Sequence, residues 1–252
     1  MNQRFAVEEN KGGRLFGGAF SGEFVAAFSG RARGNMSLNY SDTGNSLVNR
    51  RNFLEALGID CKDIVCAKQN HGAAVKRVGI FHRGAGALSF DTAFPDTDAF
   101  ITNEKKVPLT VFTADCLPIF LFDPRAKCIA LIHAGWRGTH AFITRKALET
   151  MIREFASRPD DVLAGFGPAI RGCCYRVGED FQEKFPHSVE QREDSYFLDL
   201  AEVNKKQMNS SGVKTVNMFD CGICTCCRNN DYFSFRKEGS ASGRMMSVLM
   251  LV

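Results

Sequence analysis

The chain has 252 residues, 44% of them hydrophobic, with 22 Phe; at that size it buries a large core and needs no disulfide or metal staple to fold. Its 32 Lys and Arg against 28 Asp and Glu leave a net charge of +4, too mild to point to nucleic acid or a membrane as partner. Acidic residues stand where a secretory leader would be apolar, and no apolar run approaches the roughly 20 residues of a spanning helix, so the ten cysteines are expected as reduced thiols in a cytoplasmic protein.

Along the chain, residues 16–33 alternate small and apolar side chains in a Gly-rich manner, the pattern of twisted strands. Residues 46–57 carry apolar positions at helical spacing, with Asn45 as N-cap and Gly58 as C-cap. Residues 63–69 and 73–78 read as short strands around an Asn70-His71-Gly72 turn. Three β-rich runs follow at 108–113, 118–122 and 128–132. Residues 139–155 form an amphipathic helix capped by Gly138 or Thr139. Then come helices at 179–185 and 199–209 and strands at 214–218, 232–235 and 245–252. No linker, repeat or low-complexity stretch interrupts residues 1–252. These elements predict a single domain of the α/β (α+β) class, a layered sandwich of mixed, largely antiparallel sheets covered by helices.

The second and third β-rich runs are joined by Asp123-Pro124-Arg125-Ala126, and Asp followed by Pro is a type I turn signal. A hairpin turning on these four residues sets Cys116 opposite His133 on one face, with Cβ atoms about 4.5–5.5 Å apart. One metal ion bridges such a gap, since Zn–S is about 2.3 Å and Zn–N about 2.0 Å. A one-residue slip would put the pair on opposite faces. His71, in its Gln-Asn-His-Gly turn, is the third ligand candidate. Two imidazoles and a thiolate leave a fourth zinc position for water, the catalytic arrangement. The ordinary alternative is buried filler for Cys116 and hydrogen-bonded histidines. Arg137, beside the start of the following helix, marks an anion site.

Five segments, in order, carry a resemblance: Gln69-Asn70-His71-Gly72; Ala114-Asp115-Cys116-Leu117-Pro118; His133-Ala134-Gly135-Trp136-Arg137-Gly138; Gly167-Pro168 with Cys174-Tyr175; and Phe233-Ser234-Phe235-Arg236. Together they resemble the laccase-domain family, also called multicopper polyphenol oxidase-like proteins or peptidoglycan editing factors, from about residue 25 to the C-terminus. The resemblance implies a purine nucleoside phosphorylase with adenosine deaminase activity. Its partners would be phosphate and adenosine, inosine, guanosine or methylthioadenosine. It also implies metal ligands at His71, Cys116 and His133 and substrate contacts at Asn39, Arg50, Ser234 and Arg236. The family's N-terminal glycine-rich loop is reduced here to Ser29-Gly30-Arg31-Ala32-Arg33-Gly34. The Cys221-Gly-Ile-Cys224-Thr225-Cys226-Cys227 run is richer in thiols than the family's.

Rival readings rest on the same residues. Two His and a Cys with an axial Met describe a blue-copper site. A multicopper oxidase, however, needs histidines for several centres, and the chain has five: His71, His82, His133, His140 and His187. Copper is therefore the less favoured ion. A metal-free hydrolase or deamidase acting on amide or cell-wall peptide substrates would use Cys116 as nucleophile and His133 as base. A redox or binding module would rest on Cys221, Cys224, Cys226 and Cys227, with Cys173 and Cys174. One CxxC without a second pair at finger spacing favours core packing for these cysteines.

Overall fold

Asp123 sets the central turn, its carboxylate accepting the amides of Arg125 and Ala126 at 2.8 and 2.9 Å. The computed structural model describes residues 5–8, 12–15, 22–39 and 43–252. In order these form β1 (Phe5–Glu8), β2 (Gly12–Leu15), β3 (Phe24–Ser29), α1 (Thr43–Glu55), β4 (Val75–Arg77), β5 (Ala99–Thr102), β6 (Leu109–Thr113), β7 (Leu117–Asp123) and β8 (Cys128–Ala134). They continue with α2 (Trp136–His140), α3 (Ile143–Phe155), β9 (Leu163–Phe166), β10 (Arg176–Val177), α4 (Phe181–Lys184), β11 (Val189–Arg192), β12 (Ser195–Leu198), α5 (Leu200–Ser210), β13 (Met218–Asp220), α6 (Phe235–Glu238) and β14 (Met245–Leu251).

Strand alternation builds four layers. One sheet runs β1-β2-β3-β14-β6, all antiparallel, and a second runs β13-β9-β7-β8-β5-β4 with parallel pairs at both edges. Phe120, Phe122, Ile129 and Leu131 of the second sheet pack against Phe24, Phe28, Leu109 and Leu249 of the first. The opposite side chains, Ile119, Leu121, Ala130 and Ile132, pack under α3 and α5. On the outer face of the first sheet, Met246 and Val248 meet Phe53 and Leu54 of α1. The predicted layered α/β sandwich, mixed and largely antiparallel, is the observed one.

Details differ. The hairpin loop is two residues longer at its C-terminal side than a turn closed by Asp123 and Ala126: Asp123 pairs with Cys128 and Pro118 with His133. Cys116 therefore stands one step outside β7, next to Gly135 rather than opposite His133. The shift is two in register, so both side chains keep the same face. The helix expected at 46–57 begins at Thr43, which puts Asn45 inside it, and Gly58 closes it at φ +72° with its N–H on the Glu55 carbonyl. Residues 63–69 make isolated bridges only, to Leu109 and Phe94, and 73–78 shrink to β4. The helix expected at 139–155 is two, broken where Phe142 turns left-handed at φ 60°. The helix expected at 179–185 is the short α4. That at 199–209 is α5, with the Asp199 carboxylate capping the amides of Ala201 and Glu202. Expected strand 214–218 is a 3-10 turn leading into β13. Expected strand 232–235 is wrong: Ser234 caps the Lys237 amide and opens α6. Of the Gly-rich stretch at 16–33, residues 24–29 form β3, Arg31–Arg33 make a 3-10 turn, and 16–21 lie outside the described residues.

Candidate active site

The trio gathers where β6 ends and β7 begins, beside the C-terminal end of β8. His133 ends the β8 row of inward side chains that includes Ile129 and Leu131, so its imidazole lies at the mouth of the inter-sheet core, 2% exposed. Cys116 follows Asp115, whose backbone is left-handed at φ 87°. Such a conformation costs a non-glycine residue energy that the surroundings must offset. Here they do so: the Asp115 carboxylate accepts the Thr225 hydroxyl and the Arg236 amide, both at 2.6 Å. His71 is also left-handed, at φ 63°, in the turn the sequence marked.

One donor atom each from His71, Cys116 and His133 lie within 4.8 Å of one another. The two imidazoles meet edge to face at 4.9 Å between centroids. Gly135 keeps the centre open, since a Cβ there would lie 3.0 Å from His71 Cδ2 and 3.1 Å from Cys116 Sγ. Two imidazoles and a thiolate so close fit a single transition-metal ion.

Asp98, which the sequence reading did not single out, organises the trio. It is buried immediately before β5, and its Oδ1 lies 2.7 Å from His133 Nδ1. The same carboxylate accepts the amides of His71 at 3.1 Å and Gly72 at 2.8 Å. Burial works against its charge, but these donors hold it below the ordinary carboxylate range. It thus fixes one ligand's ring and the other ligand's turn. Such outer partners set tautomer and orientation at metal sites. Burial alone would raise the Cys116 thiol, yet the imidazoles of His133 and His71 bring it down to about 6. Burial alone would lower His133, yet Cys116 and Asp98 lift it to about 9. Without a metal, the centre is a thiolate–imidazolium pair backed by a carboxylate.

The trio opens into a cavity of about 500 Å³. Trp136, Tyr175 and Phe235 supply aromatic wall, and Gln69 is locked by a pair of hydrogen bonds to the Phe112 backbone. Asn39, Arg137 and Arg236 line it as the sequence reading expected. Arg137 lies 4.5 Å from the Trp136 ring centroid, and Arg236 is braced by the carbonyls of Cys174 and Arg176. Neither guanidinium has a carboxylate partner among the described residues.

Arg50 and Ser234 lie elsewhere. Arg50 is 2% exposed, and its guanidinium donates to the carbonyls of Met36, Gly86 and Ala87 while lying over the Phe112 ring. It holds α1 to the loops around it and does not line the cavity. Arg50→Ala is expected to leave three buried carbonyls unsatisfied and to cost on the order of 3 kcal/mol in denaturant unfolding. A change in substrate KM with unaltered stability would assign it to the site instead. Ser234 is fully buried as the cap of α6; its neighbours Phe235 and Arg236 face the cavity.

The six remaining described cysteines of interest divide. Cys173, Cys174, Cys224 and Cys227 converge, with the Cys226 thiol within hydrogen-bond reach of Cys174, whereas Cys221 packs against the inter-sheet core. Cys173 and Cys227 are exposed, so core packing does not hold for the whole group, and the adjacent Cys173-Cys174 lies against the CxxC.

The chain matches the family described as multi-copper polyphenol oxidoreductase laccase over residues 18–252. It is 34% identical over 249 residues to the purine nucleoside phosphorylase YlmD of Geobacillus stearothermophilus, covering 93% of this chain and 90% of that protein. It is 32% identical to the adenosine deaminase RL5 of an unknown prokaryotic organism, over 75% of each. The crystal structure of the Geobacillus stearothermophilus YlmD superimposes with a TM-score of 0.92, at 31% identity and 98% coverage of both chains. With its profile match spanning nearly the whole chain and its fold shared with such a relative, the chain belongs to the multi-copper polyphenol oxidoreductase laccase family.

Proposed function

We propose that the chain is a zinc-dependent purine nucleoside phosphorylase with adenosine deaminase activity. It would cleave adenosine, inosine, guanosine or methylthioadenosine with phosphate to free base and ribose-1-phosphate. The observation that carries it is a three-donor centre at the floor of a cavity flanked by aromatic rings and two arginines without carboxylate partners. The relatives named for phosphorolysis and deamination support the substrate class.

A cavity of about 500 Å³ is in the range that encloses a small ligand. Tyr175, Trp136 and Phe235 offer faces for a purine. Arg137 and Arg236 hold phosphate, and their charge offsets what develops as its oxygen displaces the base at the ribose carbon. His71, Cys116 and His133 would hold zinc, which when bound supplies a Lewis acid at a site with one open position. Asp98 keeps the proton on His133 Nδ1, leaving Nε2 as the ligand atom. Zinc is the ion we favour, because two imidazoles and one thiolate with an open fourth position match the donor set of catalytic zinc sites. His82, His140 and His187 lie outside the cavity lining. The free cysteines fit a reducing, cytoplasmic setting, and no helix among the described residues is long and apolar enough to cross a membrane.

The decisive experiment incubates the protein with adenosine, with and without phosphate, and identifies the products. Adenine formed only with phosphate is expected, with inosine as the deamination product. Unchanged adenosine in both arms would sink the proposal. One observation favours a second reading: Cys116 and His133 backed by Asp98 are also a nucleophile, base and orienting acid. Full activity after exhaustive chelation would select it.

The protonation states give a separate expectation. Between about pH 6 and about pH 9 the metal-free pair is Cys116 thiolate and His133 imidazolium. Zinc takes the thiolate as it is but needs a neutral imidazole. Loading near pH 7.5 should therefore release about one proton, from His133 and not from the thiol. Calorimetry in buffers of different ionisation enthalpy measures it. Release of none would contradict the assigned states.

A further inference from the structure

We propose a second metal site, a four-thiolate zinc centre formed by Cys173, Cys174, Cys224 and Cys227, that fixes one wall of the cavity. The four sulfurs lie within 4.8 Å of one another. Cys227 Sγ is 3.5 Å from Cys173 Sγ and 3.3 Å from Cys174 Sγ. These are not disulfide lengths, since a bonded pair lies at about 2.0 Å. They are near the edge of a tetrahedron with Zn–S of about 2.3 Å, which is roughly 3.8 Å. A single ion fits such a compact set; an iron–sulfur cluster spreads its cysteines over several irons.

The backbone holds the two pairs together. Cys224 and Cys227 occupy a CxxC turn in which the Arg228 amide returns to the Cys224 carbonyl at 2.9 Å. Cys173 and Cys174 sit on a turn closed by the amides of Cys174 and Tyr175 on the Arg171 carbonyl. Ala169 bridges Cys224, with Ala169 N on Ile223 O and Thr225 N on Ala169 O, so the turns lie side by side. The amides of Cys227 and Arg171 also donate to the Cys224 sulfur, as they would to a metal thiolate.

Two links run from this cluster to the cavity. Thr225, inside the CxxC, donates to Asp115, the strained residue before Cys116. Tyr175, next to Cys174, is cavity wall, and the Cys174 carbonyl faces Arg236. An ion joining these segments therefore stiffens the support of Cys116, Tyr175 and Arg236. Crosslinks between segments far apart in sequence stabilise by restricting the unfolded chain.

The test uses the full chain with Cys116→Ala, which disables the catalytic trio and keeps the result independent of nucleoside chemistry. Cobalt(II), added anaerobically to the reduced, metal-free protein, is expected to bind at one equivalent. It should show the intense visible bands and sulfur-to-cobalt charge transfer of a tetrahedral four-thiolate site, and zinc should bleach them. Adding Cys224→Ser and Cys227→Ser should remove the signal. In the unsubstituted chain, which avoids any folding defect of variants, zinc should shield Cys173, Cys174, Cys224 and Cys227 from alkylation, as read by peptide mass mapping. No cobalt–thiolate spectrum in the Cys116→Ala chain, or alkylation of these four unaffected by zinc, overturns the proposal.

Discussion

Cys116→Ser is expected to lower nucleoside turnover by roughly 10³-fold, about 4 kcal/mol of transition-state stabilisation, and to strip the protein of its catalytic zinc. Serine keeps the shape of the side chain but not its acidity. The thiol is brought down to about 6 by His133 and His71, whereas a hydroxyl stays protonated and ligates weakly. Cys116 is half-buried at the mouth of the hairpin, outside the paired strands, so the fold should tolerate the change, and thermal unfolding serves as the control. His71→Ala separates the two chemical readings. In a Cys–His hydrolase, whose base is His133 and whose orienting acid is Asp98, His71 only assists in holding the thiolate, so its loss should weaken activity far less than loss of Cys116. Under the zinc reading both variants lose metal and activity together. Retention of nucleoside turnover by Cys116→Ser would overturn the role given to the trio.

The sequence carried the trio's location better than its geometry. Alternation along β7 and β8 places Cys116 and His133 on one face whether the loop has its expected length or the observed one, because the two registers differ by two residues. That parity, not the pairing itself, made the inference sound. His71 was legible only through its glycine-flanked turn and the family resemblance, since nothing in its spacing says that β4 and β5 lie beside β8. Asp98 escaped for the same reason. A single acid before a short apolar run is unremarkable until the chain folds and its carboxylate meets His133 and the turn of His71. Arg50 failed differently. The resemblance implies a substrate contact there, but burial under Phe112 commits its guanidinium to backbone carbonyls.

Local signals failed where tertiary contacts override them. Tyr232 and Phe233 look like strand residues, yet they are buried anchors leading into the Ser234 cap. The long amphipathic pattern after His133 hides a break, because Phe142 takes a left-handed conformation that propensity assigns to glycine or asparagine. The break lets α2 start at Trp136, capped by Gly135 beside the donors, while α3 covers the sheet. The thiol cluster shows the remaining gap: CxxC is visible in sequence, but its partners lie about fifty residues upstream and are brought alongside by the Ala169–Cys224 bridge.

Asp98→Asn should weaken zinc binding by roughly 10–100-fold while leaving all three ligands in place. The carboxylate accepts His133 Nδ1–H at 2.7 Å, which directs the Nε2 lone pair toward the centre. An asparagine that turns its amide nitrogen to His133 reverses this bond, putting the imidazole proton on Nε2, where it blocks ligation. One that turns its oxygen there instead presents NH₂ to the amide of Gly72, so two donors face each other where Asp98 now accepts at 2.8 Å. Either orientation damages the centre, one at His133 and the other at the turn of His71. The loss of negative charge compounds it, because the carboxylate helps lift His133 to about 9 in the metal-free protein. In the variant His133 should lose its proton at lower pH, so proton release on zinc loading should fall below that of the unsubstituted chain. Zinc affinity by chelator competition and proton release by calorimetry read the two effects separately. Unchanged affinity with unchanged proton release would show that Asp98 merely fills space beside the trio.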